Sequence, residues 1–386
     1  MRLIIEGWRF YPHSYCLVNQ HQCLELLRRP DLTLYHRDLP PFRPHWKIAR
    51  GLLDSSSEQL LERIPSPPSN EAGDVTLRIA FPYDLHPSSS TRTFVYGTAE
   101  FDVPPGYLKD SIPLPQAMAA SDATIITPSE WSRQGFVRAG ADPQRIVIVP
   151  HGFDPRIYRS IDSQQKAALR SKFQMQQDAF IFLHVGAMTE NKNLPLLLKA
   201  FAAVAQRHPH VRLGLKGLDE MYMSDRLLAQ CGRGLTQAEG NIIQPRIGYW
   251  GSVWPAASMA ELYQAADAYV CPYTAEAFNL PALEAGACGM PVICTAGGPT
   301  DDFTTPQFGL KIESRLDPSL RGPTARQLTP LLDSLIHQMM SVVERPELLA
   351  TARDAGPSFL ASHFTWKHAV DQLIQVLFPA HEKAPL

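Results

Sequence analysis

Strand-like runs alternate with helical patterns twice along this chain, and that alternation leaves few folds open. In the first half, RLIIE (2–6), TLRIAFPY (76–83), ATIITP (123–128) and RIVIVP (145–150) are short apolar runs, with helical patterns at 18–29 and 130–140 among them. The alternation restarts with AFIFLHVGA (179–187), the helical LPLLLKAFAAVAQRH (194–208) and VRLGLKG (211–217). A helix near 221–231, a strand near 241–248, ASMAELYQAAD (257–267), AYVCPY (268–273) and PVICT (291–295) follow. Strands that alternate with helices pair in parallel and are covered on both faces. The chain has 386 residues, more than one ordinary core holds, so two α/β domains are expected. The expected division is 1–165 and 166–360, with the polar stretch 165–178 as connector. A C-terminal segment, 361–386, carries the amphipathic run TWKHAVDQLIQVLF (365–378) and is expected to pack back toward the N-terminal domain. The Ser- and Pro-rich stretch 54–74 reads as an exposed loop or excursion.

Charge and cysteine usage exclude several classes. A formal net charge of -2 gives no whole-protein basic field for nucleic acid, although a local basic pocket for a phosphate ligand stays compatible. The 6 cysteines are scattered through apolar stretches without a C-x-x-C pair, as expected of reduced thiols in a cytoplasmic enzyme. The N-terminus MRLIIEGWRF has too short an apolar run for a signal peptide. No stretch approaches the ~18 apolar residues of a membrane span, which is compatible with peripheral attachment to a membrane surface. Neither D-x-D nor H-x-x-x-H occurs, so no metal ligands are expected.

Candidate chemistry concentrates at the carboxyl ends of the second set of strands, the edge where open α/β sheets bind ligands. In EAFNLPALEAGACGMPVICT (276–295), Glu276 lies on the loop after AYVCPY and Glu284 about one turn into the following helix. The backbone of Phe278, Asn279 and Leu280 leads into the positive end of that helix, a site suited to a phosphate. Glu284 is suited to accept from a pair of ribose hydroxyls, and Glu276 from hydroxyls of a sugar beyond the phosphates. Upstream, Gly186 ends one strand, Lys192 lies in the loop that follows it, and Lys216 ends the next strand. Three consecutive strand ends thus aim two cations and a paired-carboxylate loop at one edge.

These residues also carry a resemblance. EAFNLPALEA is similar to the E-G-F-G-L-P-x-x-E-A signature of family-4 retaining glycosyltransferases. GAMTENKNLPLLLKAF resembles that family's G-R-L-x-x-x-K-G-x-x-x-L-x-x-A-F segment, and ELYQAADAYVCPY its L-Y-x-x-A-D-x-x-x-x-P-S run. ACGMPVICTAGGPTDDF resembles the A-x-G-x-P-V-I-x-x-x-x-G-G that follows, and His151, Gly152 and Asp154 stand in the usual N-G-x-D place. The likeness covers roughly residues 120–378. It implies two facing Rossmann-like domains (the GT-B fold) with an interdomain donor cleft, a nucleotide-sugar donor carrying UDP or GDP, and metal-independent transfer with retention. No cofactor beyond the donor is implied; the partners are that donor and a glycan, lipid or protein acceptor. Carried over, Glu276 contacts the transferred sugar, Phe278 to Leu280 hold the distal phosphate, Glu284 holds the ribose and Lys192 neutralises the diphosphate. The region from Ile247 to Gly251 receives the base.

The chain also departs from that pattern. The arginine that accompanies the diphosphate lysine is replaced by Ala187, and Lys216 is the candidate substitute. No residue clearly matches the family's first-domain histidine; Glu100 occupies a similar place, with His86 and His13 nearby. The glycine-rich first loop is replaced by EGWRFYPHSY, in which Trp8, Tyr11, His13 and Tyr15 are candidates to stack on a sugar or peptide acceptor. Two rivals stand beside this reading: a catalytically weakened partner subunit that binds sugar nucleotides, suggested by these departures, and a sugar phosphorylase or epimerase, which share the two-domain form.

Overall fold

The computed structural model describes residues 1–69 and 72–379. Its contacts divide the chain into two units. The first holds Met1–Gly152, Ser319–Ala325 and the segment from Phe364 onward; the second holds Phe153–Pro318 and Arg326–His363.

The first unit is built on six parallel strands, β1 (Arg2–Gly7), β2 (Thr33–Asp38), β3 (Val75–Ile79), β4 (Arg92–Tyr96), β5 (Thr124–Thr127) and β6 (Ile146–Ile148). They lie in the order β2-β1-β3-β4-β5-β6. Leu3, Ile5, Leu77, Phe94 and Ile125 fill its core. The C-terminal helix Trp366–Leu377 adds Val370, Leu373 and Leu377 to the same core, and Arg29 pairs with Asp371. Its apolar residues recur at helical spacing, which leaves one face to bury and only an existing core to bury it against.

The second unit has β7 (Phe180–Val185), β8 (Val211–Lys216), β9 (Ile247–Trp250), β10 (Ala268–Cys271), β11 (Val292–Thr295) and β12 (Gly309–Ile312) in the order β12-β11-β10-β7-β8-β9, all parallel. An antiparallel pair, β13 (Ser314–Pro318) and β14 (Arg326–Pro330), follows. Helix Leu194–Arg207 buries Leu197, Leu198, Phe201 and Val204 in the core of this unit.

Four expectations are corrected. The units divide between Gly152 and Phe153 rather than at 165/166, because residues after 152 pack with the second unit: Arg353 donates to the Ile161 carbonyl. The stretch 165–178 is no free connector. Most of it lies in helix Ser163–Lys172, whose buried Arg170 holds Asp267 at 2.5 Å and the Ala265 carbonyl at 3.1 Å. Within 54–74, Asp54 caps a helix, Ser55–Glu62, that buries Leu61; Asn70 and Glu71 lie outside the described residues. The strand expected near 241–248 begins only at Ile247, because Thr236 and Glu239 form a reciprocal cap that starts a helix, Gln237–Ile243.

Candidate functional site

The order of the second sheet sets where a ligand can lie. β7 and β10 are neighbours, and the chain leaves them toward opposite edges of the sheet. The loops that leave their carboxyl ends part there and open a crevice. Those loops are 186–193 and 272–279, the two segments that carry Lys192 and Glu276.

Hydrogen bonds stitch the loops together. Asn191 Nδ2 donates to the Ala275 carbonyl at 3.0 Å, and the Thr274 amide donates to the Asn191 carbonyl at 2.8 Å. The Lys192 ammonium donates to Glu276 Oε1, and both side chains are largely buried. Gly186 makes room for this: a methyl group on it would lie 3.1 Å from Lys192 Cε. The left-handed turn at Asn193 (φ 55) then opens helix Leu194–Arg207, with proline in its first turn.

The helix after Glu276, Leu280–Ala287, is entered through Asn279 at φ 78. Asparagine tolerates that left-handed conformation, which accounts for its standing where the resembling signature has glycine. Its side chain accepts from the Ala282 amide at 3.1 Å. Phe278 and Asn279 are buried, and the Phe278 ring packs 5.0 Å from Phe303. The segment from Phe278 to Leu280 is thereby held at the positive end of the helix.

Glu284 is buried among aromatic rings. Tyr263 donates to its Oε2 at 3.0 Å, and Tyr158 is a second hydrogen-bond partner. Burial pushes its carboxyl up to about 7, while the two tyrosine bonds pull the other way. Such a carboxylate gains from any further donors, and ribose hydroxyls are donors.

Lys216 is put to another use. Its ammonium donates to the carbonyls of Gly217 (2.6 Å) and Ser252 (2.7 Å) and lies 5.4 Å from the centre of the Trp254 ring. It ties the loop after β8 to the loop after β9 instead of joining the Lys192–Glu276 pair, and burial lowers it to about 8. Gly251 serves the same junction, because a methyl group there would collide with Asp219, which holds the Tyr249 hydroxyl. Ile247 is at the amino end of β9, away from the ligand edge, where it lines a cavity of about 310 Å³ with Leu198, Leu228 and Ile243. This corrects the expectation that it meets a base.

In the first unit the sheet order changes direction between β1 and β3, so the loop after β1 lies beside such a crevice of its own. Tyr11 and His13 are half-buried on that loop and pack against Trp46, with ring centres 6.1 and 4.7 Å away. His13 also caps the following helix by accepting from the Tyr15 amide. Trp8 is only 1% exposed and donates to the Pro40 carbonyl at 2.8 Å. It is a core residue, a correction to its expected acceptor role. Glu100, on the loop after β4, offers its carbonyl to Trp131 Nε1 at 2.7 Å. His86 is exposed and held by Asp84 and Asp110.

Sequence reasoning missed Asn191, Tyr158, Tyr263, Trp46 and His184. Only His184 carried a signal, as a polar residue inside an otherwise apolar strand run. Among the described residues, no group of three or more His, Cys, Asp or Glu side chains is placed to hold a metal ion. No helix among them is long and apolar enough to cross a membrane.

Comparison with known proteins identifies the family and the fold. Residues 165–319 match the family model for glycosyl transferases group 1. The D-inositol 3-phosphate glycosyltransferase of Geodermatophilus obscurus is 30% identical over 279 residues, 69% of this chain and 55% of that protein. Its counterpart in Segniliparus rotundus is 29% identical over 282 residues, 72% of this chain and 56% of that protein. The chain thus spans about half the length of these curated relatives. Among solved structures, Anabaena HepE in complex with UDP and glucose superposes with a TM-score of 0.70 at 15% identity, covering 98% of this chain and 100% of that one. WaaG, a glycosyltransferase involved in lipopolysaccharide biosynthesis, superposes with a TM-score of 0.64 at 13% identity, covering 98% and 100%. With six parallel strands in each unit the chain has the GT-B fold, and its residues 165–319, nearly all in the second unit, are those of the group 1 glycosyl transferases.

Proposed function

We propose that the protein transfers a sugar from a nucleoside diphosphate, UDP or GDP, to a glycan, lipid or protein acceptor, with retention and without a divalent ion. The observation that carries this reading is the Lys192–Glu276 pair at the β7/β10 crevice, beside the helix entered through Asn279. Lys192 meets the diphosphate, Glu276 the transferred sugar, the backbone from Phe278 to Leu280 the distal phosphate, and Glu284 the ribose. Negative charge that grows on the leaving diphosphate is met by an ammonium and a helix terminus, groups already in place before the bond breaks. The leaving phosphate then takes the acceptor's proton on the same face of the sugar, which keeps the configuration. In the first unit, Tyr11, His13 and Glu100 are the proposed acceptor contacts.

The test is a panel of UDP- and GDP-sugars: thermal shift to find the donor, then release of nucleoside diphosphate with and without acceptors, each in EDTA. Donor-dependent release that survives EDTA is expected. Turnover lost to the chelator and restored by Mg²⁺ or Mn²⁺ would refute the ion-independent mechanism. A partner subunit that binds but turns over poorly is the second reading, favoured by Ala187 and by the Lys216 ammonium being held by two carbonyls. It predicts a thermal shift without release.

A further inference from the structure

β7 buries an imidazole that the proposed transfer does not use. His184 is 0% exposed, one residue before the end of the strand. Its Nδ1 lies 2.8 Å from the Val270 carbonyl on β10. A carbonyl only accepts, so Nδ1 carries the ring proton and Nε2 presents a bare lone pair. Nε2 has no hydrogen-bond partner among the described residues. The ring lies parallel to that of Tyr269, 8° apart, and the Tyr269 hydroxyl is itself tied to the Val185 carbonyl. The lone pair therefore points in a fixed direction.

That direction is toward the crevice. A methyl group on Gly186 would sit 3.7 Å from His184 Nε2 and 3.1 Å from Lys192 Cε. The acceptor nitrogen thus borders the small space that the Lys192 chain crosses on its way to Glu276. A buried nitrogen without a partner is costly, and an apolar side chain would fill this strand position without that cost. Burial and the nearby Lys192 charge lower the imidazole to about 4, so it stays a neutral acceptor at physiological pH.

We propose that His184 is a positioning residue of the donor site, whose Nε2 accepts an N–H of the Lys192 ammonium once that ammonium leaves Glu276 for a diphosphate. An ammonium has three donors. With Glu276 released to the sugar, the diphosphate takes donors on one side of Lys192 and His184 takes one on the other, so the charge is held in place. The inference rests on the nucleotide-sugar reading.

The protein labelled with ¹⁵N at histidine is titrated with UDP and with GDP. Expected on saturation is a shift of the His184 Nε2 resonance in the sense of a newly accepted hydrogen bond, with Nδ1 little changed. In parallel, His184→Phe is expected to weaken nucleotide binding about tenfold, the weight of one hydrogen bond to a charged group. His184→Gln, which carries an acceptor at the Nε2 position, is expected to recover most of that loss, as a merely space-filling role would not. An Nε2 resonance unmoved at saturating nucleotide overturns the inference, and so does His184→Phe binding like the native protein. Should His184→Phe fail to fold, the resonance of the native protein decides. Native protein that binds neither nucleotide overturns the donor reading and this inference with it, whereas binding with a silent Nε2 overturns the inference alone.

Discussion

Glu284→Gln separates what the second glutamate does for binding from what it does to the fold. The Glu284 carboxyl stands at about 7 in the folded protein against an ordinary 4.5, burial being the largest cause. A folded value above the unfolded one means that the stabilising contribution is fully present below the unfolded value and is lost as pH rises through the folded one. At ~1.4 kcal/mol per pH unit, this group takes about 3 kcal/mol from the fold between pH 4.5 and 8. Glutamine has nearly the same shape, keeps one oxygen to accept from Tyr263, and does not ionise. Calorimetric melting of both proteins at pH 5 and pH 8 reads the difference, because groups common to the two cancel. At pH 5 the variant should match the native protein within about 1 kcal/mol. At pH 8 it should melt higher by roughly 6–12 °C, at ~2–4 °C per kcal/mol for a unit of this size. Nucleoside diphosphate affinity should fall in the same variant, by about 1.5–3 kcal/mol if a charge-assisted ribose contact is lost. An equal melting difference at both pH values would refute the claim that the carboxylate is held against its desolvation.

Lys216→Met removes two charge-assisted bonds to carbonyls, so it should lower stability by about 2 kcal/mol after the ammonium's desolvation is discounted, with turnover reduced less than about tenfold; a large loss of kcat with an unchanged Tm would restore the lysine to the transfer step. Asn279→Ala keeps a β-carbon at φ 78 without the polar side chain that makes this conformation tolerable and deletes the cap, a loss of about 2 kcal/mol in denaturant melts, while Asn279→Gly should cost less than half as much. Glu276→Gln uncouples Lys192 from its carboxylate, so calorimetry should find nucleoside diphosphate binding retained or tightened while kcat falls by about 100-fold; lost nucleotide affinity with normal kcat would contradict the division of roles.

What the sequence determined by itself was local and periodic. Apolar runs such as AFIFLHVGA and the amphipathic 365–378 are legible because burial on one face imposes a period on the chain. The Glu276-to-Glu284 segment is legible because a loop, a proline and a helix start are neighbours in sequence. The edge strand β2, TLYHRD, went unread because its half-exposed polar pattern lacks a continuous apolar run. β4 went unread because Arg92–Tyr96 is a short run between polar stretches. Tertiary structure alone decided which strand ends stand side by side. The order β10-β7-β8 puts Lys192 beside Glu276, 84 positions away in the chain, and turns Lys216 to the Ser252 carbonyl instead. It also decided burial, which made a core residue of Trp8, a lifted acid of Glu284 and, among the described residues, an acceptor without a partner of His184 Nε2. Charge placement and desolvation depend on through-space neighbours, and those are set by the packing of whole elements rather than by spacing along the chain.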